Sequence, residues 1–215
     1  MDMDNNVKWV NEQRILRTIE ALKSNNMNGY LVSNKTELLS KIEELVKEGS
    51  TVSCGGSVSL AESGVLDYLR SGKYNFLDRG KEGLTQEEIG KIYRGAFSAD
   101  AYFTSSNAIT EAGELYNVDG NGNRVAAMIF GPERVIVIVG VNKLVKDVDE
   151  AINRVKYVAA PANGVRLNRQ TPCAKVGYCM DCKSKTRMCR QYTLIKSQSN
   201  PDRMHVIFIN EELGY

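Results

Sequence analysis

The sequence predicts an α/β protein built on a buried parallel sheet, and three observations carry that expectation. Val135 to Val139 is an unbroken β-branched run, the pattern of a strand covered on both faces. Short apolar runs alternate with segments whose apolar residues recur at helical spacing, which is the rhythm of β–α units. Strand-like runs also end in glycine or in amide-rich turns, at Gly55-Gly56-Ser57, at Ser105-Ser106-Asn107 and at Asp119 to Asn123, residue types that tolerate tight backbone.

Taken in chain order, residues 7–24 place Val7, Val10, Ile15, Leu16, Ile19 and Leu22 among charges, spacing that predicts an amphipathic helix. Tyr30–Ser33 reads as a strand. Asn34 with Glu37 signals a helix start ahead of Leu38, Leu39, Ile42, Leu45 and Val46, and Gly49 ends it. Ser50–Cys54 is a strand that delivers a glycine turn into a helix around Leu60–Leu69. After a strand at Tyr74–Leu77, Thr85 and Glu88 form a capping box before Ile89, Ile92, Tyr93, Ala96 and Phe97. Ala101–Thr104 and Leu115–Val118 are further strands, Asp147 with Glu150 opens a helix through Val155, and periodicity fades over Ala159–Gln170. Val206–Ile209 supplies a late strand, which makes the cysteine segment an insertion between the last helix and the last strand.

A chain of 215 residues that is 42% hydrophobic can bury one substantial core, so a single domain over 1–215 is expected, including the cysteine-rich segment 171–190. Its start has no basic flank before an apolar core, and no stretch approaches the roughly 18 apolar residues of a membrane span, so a cytoplasmic protein is expected. The 28 basic and 26 acidic residues nearly cancel, which makes nucleic acid an improbable partner. Locally the balance differs. Seven basic residues lie between Arg166 and Arg190 against one acid, Asp181.

Cys173, Cys179, Cys182 and Cys189 bring four thiols together with a two-residue gap between the middle pair, a spacing that lets two sulfurs grip one ion while the outer pair completes a tetrahedron. Zinc would make a structural knuckle. An iron–sulfur cluster also takes four thiolates, although these gaps match neither ferredoxin pattern. Reduced thiols without a ligand and a redox-labile pair are the alternatives. Cys54 stands apart and is expected to pack in the core. His205, the one histidine, lacks a nucleophile elbow around it and is expected to be a packing residue.

Two further segments can gather a small anion. At Gly55, Gly56 and Ser57 the glycines let backbone N–H groups approach a ligand, with Glu62 on the helix behind. Ser57 acting only as a helix cap is the structural alternative. Asn107, Thr110, Asn117, Asp119, Gly120, Gly122, Asn123 and Arg124 concentrate amide, carboxylate and guanidinium groups at predicted strand ends, where a ligand can be held. Two surface hairpin turns are the alternative there. Glu111 is the candidate base or carboxylate nucleophile.

The blocks CGGSVSLAESG, SSNAITEAGELYNVDGNGNRVAAMIFGPERVIVIVG, VAAPANGVRLNRQTPCAKVGYCMDCKSKTRMC and HVIFINEELGY resemble the LUD-domain, or lactate utilisation protein, family from about Arg14 to Tyr215. The resemblance implies a Rossmann-like sheet of the ribose phosphate isomerase and coenzyme A transferase type. It implies a component that works beside iron–sulfur partner proteins in oxidising L-lactate to pyruvate, with Asn107, Thr110, Asn117, Asp119 and Arg124 in a ligand site. It also implies, from transferases of similar fold, an acyl-attacking role for Glu111. A stand-alone transferase or isomerase, and a metal-stabilised assembly module whose basic cysteine segment docks an acidic partner or nucleic acid, are the rival readings, and a homo-oligomer is a further expectation.

Overall fold

A computed structural model describes residues 4–215; the expectation that no leader opens the chain rests partly on Met1–Met3, outside the described residues. The strands are β1 (Asn28–Val32), β2 (Thr51–Cys54), β3 (Asn75–Leu77), β4 (Ala101–Thr104), β5 (Ala108–Thr110), β6 (Leu115–Asp119), β7 (Arg134–Gly140), β8 (Leu144–Val145), β9 (Gln191–Ile195) and β10 (Met204–Ile209). Among them run the helices α1 (Asn5–Ser24), α2 (Lys35–Leu45), α3 (Val58–Glu62), α4 (Val65–Leu69), α5 (Gln86–Gly95), α6 (Asn123–Ile129), α7 (Val148–Arg154), α8 (Ala160–Arg166) and α9 (Pro172–Val176).

Six strands form the main sheet in the order β1-β10-β7-β4-β2-β3, and every pairing in it is parallel. The β-branched run is β7, paired on both sides, with six of its seven residues buried. Alternate residues of β7 feed two cores. Ile136 and Ile138 join Leu38 and Ile42 of α2 with Leu60, Val65 and Leu69 of α3 and α4. Val135, Val137 and Val139 join Ile15 and Leu22 of α1 with Ile109, Leu115 and Ile195. Those last three belong to a second sheet, ordered β8-β5-β6-β9, which is mixed in direction.

Expected helix starts are present: Asn34, Thr85 and Asp147 each accept the backbone N–H three residues on. The helix anticipated over Leu60–Leu69 is instead two short helices, because Gly64 adopts a left-handed φ of 78° between them. The irregular stretch anticipated after Ala159 is mostly helical. A π-turn over Val155–Ala159 leads into α8, and its wider hydrogen bonding accommodates Pro161, which has no N–H to give. The sulfur-rich segment does not lead straight to the last strand, since β9 intervenes and pairs with β6. No helix among the described residues is long and apolar enough to cross a membrane.

Candidate functional site

Because β10, β7, β4 and β2 are adjacent and parallel, their carboxyl ends open on one edge of the sheet, the place where open α/β sheets take ligands. A cleft of about 720 Å3 lies there, within the size range of metabolite sites. Each of the four strands sends residues to it: Gly56 and Ser57 after β2, Ser105 to Asn107 after β4, Lys143 after β7 and Tyr215 after β10. Asp119, Gly120 and Asn123, at the end of β6 and the start of α6, close another side.

The C-terminal tail reaches the cleft through fitted backbone. Val141 N–H donates to Glu211 O at 2.9 Å, Asn142 Nδ2 donates to Gly214 O at 2.8 Å and Gly214 N–H donates to Glu62 Oε2 at 2.6 Å. A Cβ on Gly140 would strike the Leu213 backbone nitrogen, so only glycine allows the tail so close. Glu62 therefore holds the tail that carries Tyr215 and is not itself in the cleft lining. The Tyr215 phenol is buried without a hydrogen-bond partner among the described residues.

Arg124 is the hub of the loops. Its Nη1 donates to Asn117 Oδ1 at 2.5 Å and Ser105 O at 3.2 Å, its Nη2 to Asn107 Oδ1 and Val118 O at 2.9 Å each, and its Nε faces Asp119 Oδ2 at 3.4 Å. Burial pushes the guanidinium pKa down, opposed by the Asp119 carboxylate and by Tyr102. With its donors directed at protein acceptors, Arg124 ties the turn after β4 to the turn after β6. Gly55 lies under it, where a Cβ would sit 3.1 Å from Arg124 Cδ. Asp119 Oδ1 in turn accepts from Asn121 and Gly122 N–H. Arg154 adds a second tie, donating to Asn142 O at 2.8 Å and Asn107 O at 2.7 Å.

Among the predicted site residues, Gly56, Ser57, Asn107, Asp119, Gly120, Asn123 and Arg124 line this one cleft. Gly55, Asn117 and Gly122 support it from behind. Thr110 and Glu111 lie at the opposite end of β5 from Asn107 and are outside the lining. Thr110 Oγ1 is bonded with Glu114, and Glu111 accepts from Arg14 Nε at 2.8 Å with Arg17 at 3.9 Å. A nucleophile at Glu111 thus faces α1, away from the convergent loops.

The lining is electropositive. Arg79, Arg124 and Lys143 come from the sheet side, Arg166 and Arg169 from α8 and the turn after it, and Lys185, Arg187 and Arg190 from the sulfur-rich segment. Asp119 is the one acidic side chain opposite these eight and is already paired with Arg124. Lys143 was not foreseen from the sequence. It is 3% exposed, and its Nζ donates to Ser59 Oγ at 2.7 Å and Ser105 Oγ at 3.1 Å. Burial first, then the positive fields of Arg154 and Arg124, pull its pKa down to about 7, with Glu62 opposing.

The four cysteines surround a second, small cavity of about 20 Å3, shared with Asp181, Met188 and Tyr192. Asp181 N–H donates to Cys179 Sγ at 3.4 Å, and Cys173 Sγ is 3.4 Å from Thr171 Oγ1. Burial and then the neighbouring thiols push the Cys189 thiol up to about 11, a crowding of acids that a bound cation would relieve. Four thiols are the donor type that zinc takes, but among the described residues no three His, Cys, Asp or Glu side chains are placed to hold one metal ion. Met188 and Cys189 line this cavity and the large cleft alike, so the sulfur-rich segment is a wall of the cleft and not a detached satellite.

Outside both sites, Cys54 is buried and its thiol raised to about 11 by desolvation. His205 stacks on Tyr30 and is held through Nδ1 by the Tyr30 hydroxyl and through Nε2 by Asp202 O, the packing role expected of it.

Fold and site together define an α/β protein whose parallel strands open on an electropositive cleft. The chain belongs to the LUD domain family, whose family model matches residues 15–209. Among solved structures it is similar to a DUF162 family protein from Deinococcus radiodurans, at 16% identity with a TM-score of 0.54, over 93% of this chain and 98% of that one; at that identity the likeness speaks to the fold. No curated protein matches.

Proposed function

We propose that this LUD-domain protein binds a small anionic metabolite in the cleft at the strand ends, as a component of an organic-acid oxidation system of the L-lactate to pyruvate type. One observation carries the binding half: besides Arg124 and Lys143, six arginines and lysines line one cleft whose single acidic side chain is already paired. A carboxylate or phosphate ligand gains charge-assisted hydrogen bonds there that a neutral one does not. The lactate setting, the iron–sulfur partner proteins and the ribose phosphate isomerase and coenzyme A transferase type of sheet rest on family likeness. In the same reading the four cysteines take one zinc ion, which fixes the wall bearing Lys185, Arg187 and Arg190; an iron–sulfur cluster is the alternative occupant.

Calorimetric titration with L-lactate, pyruvate, inorganic phosphate and pyrophosphate tests the binding. Saturable heat for at least one of these anions is expected, weakened about tenfold by Arg79→Ala or Arg166→Ala, a loss of about 1.4 kcal/mol for one ligand contact. Absence of binding by all four in low salt, or affinities unchanged in both variants, would remove the proposal.

A further inference from the structure

We infer that Lys143 is a nucleophilic amine that binds the carbonyl group of an anionic substrate as an imine. The inference rests on the cleft reading above and deepens it, because it names the functional group that the ligand must carry.

Geometry directs the amine. Lys143 Nζ donates to Ser59 Oγ and to Ser105 Oγ, and the Ser59 hydroxyl passes its own proton on to Leu213 O at 3.1 Å. Two N–H bonds are thereby fixed. In the neutral amine the remaining tetrahedral position is the lone pair, and Lys143 lines the cleft. No carboxylate lies within ion-pair distance among the described residues, since the nearby Glu62 carboxylate is turned to Gly214 N–H. Arg154 of α7 and Arg124 of α6 face the same region and disfavour an ammonium there. Buried lysines without a counter-ion are the ones that act as amines near neutral pH.

The step balances without an oxidant or reductant. The Nζ lone pair forms a bond to the carbonyl carbon as the C=O π pair moves to oxygen, and a proton passes from Nζ to that oxygen. One proton from solvent then lets the hydroxyl depart as water while nitrogen closes the C=N bond. Amine, carbonyl and one proton give a protonated imine and water. The surrounding arginines and lysines hold the carboxylate or phosphate of the same molecule.

The test treats the intact protein at pH 7 with glyoxylate or with glycolaldehyde phosphate in the presence of cyanoborohydride, followed by peptide mass mapping. Lys143 is expected to be modified at least tenfold faster than any exposed lysine, and at least tenfold faster by a charged aldehyde than by uncharged glycolaldehyde. The faster of the two charged probes tells a carboxylate substrate from a phosphate one. Inorganic phosphate should compete, and the labelling rate should rise with a midpoint near pH 7. Lys143→Arg, which has no amine to offer at neutral pH, should lose the adduct; because mapping is done on the wild type, the result does not depend on that variant folding. Labelling spread over exposed lysines with Lys143 untouched overturns the inference, and if phosphate still binds by calorimetry the cleft reading survives it. Labelling of Lys143 with no preference for charged aldehydes and no phosphate binding overturns both.

Discussion

The Arg124 guanidinium meets the Asn107 side-chain carbonyl at 2.9 Å, and that same carbonyl oxygen accepts the Val118 N–H at 2.9 Å. One amide and one guanidinium thus join the turn after β4, the end of β6 and the start of α6. Removing the cation leaves Asp119 and two amide carbonyls partly unanswered in a buried place. Arg124→Met should lower stability by about 3–5 kcal/mol, the usual result of breaking a buried charged network. Arg124→Lys should recover little of it, since a single ammonium cannot span the same acceptors. Urea denaturation of the three proteins measures this.

Lys143 gives stability a dependence on pH. Its folded pKa, about 7, lies below the ordinary 10.5 of a lysine in water, so between those values the unfolded chain binds more protons than the folded one. Stability from this group is therefore complete above the unfolded value and is lost as pH falls toward 7, at up to about 1.4 kcal/mol per pH unit. Lys143→Met should flatten that slope in chemical denaturation between pH 7 and pH 10, and should be the more stable protein at pH 7.

Protein prepared without oxygen should contain one zinc per chain and no visible chromophore. Cys179→Ser combined with Cys182→Ser should abolish the metal and, by loosening the segment bearing Lys185 and Arg187, weaken phosphate binding about tenfold, in the range seen when a metal site's support is removed. Metal analysis paired with calorimetry reads both effects. A brown protein with iron and sulfide would replace zinc by a cluster, and metal-free folded protein would remove the site.

Glu111→Gln should cost less than about 1 kcal/mol, because its partly exposed pair with Arg14 is of a kind that contributes little. Anion binding should be unchanged within error. A covalent acyl adduct on Glu111 after exposure to an acyl thioester would instead restore it to the chemistry.

The sheet's centre and the turns at its strand ends were legible because their signals are local. A β-branched run such as Val135 to Val139 can hardly be anything but a covered strand, and Gly55-Gly56 has to follow one. Lys143 was not legible, since one lysine beside valines reads as a surface residue until Ser59 and Ser105, from two other strand exits, are seen around it. Strand β9 escaped for a different reason. Gln191 to Ile195 alternates intermediate and exposed positions before its final buried residue, so only its pairing with β6 makes it a strand. Glu111 misled because a polar turn beside a strand looks the same at either end of that strand; direction is a property of the sheet.

Met188 and Cys189 stand with sulfur chemistry on one side and the large basin on the other. With Arg187 they make a partition of three residues common to both cavities. If both proposed occupants bind, an ion in the thiol nest that tightens the grip on the guest next door is itself held tighter by that guest, by the same factor.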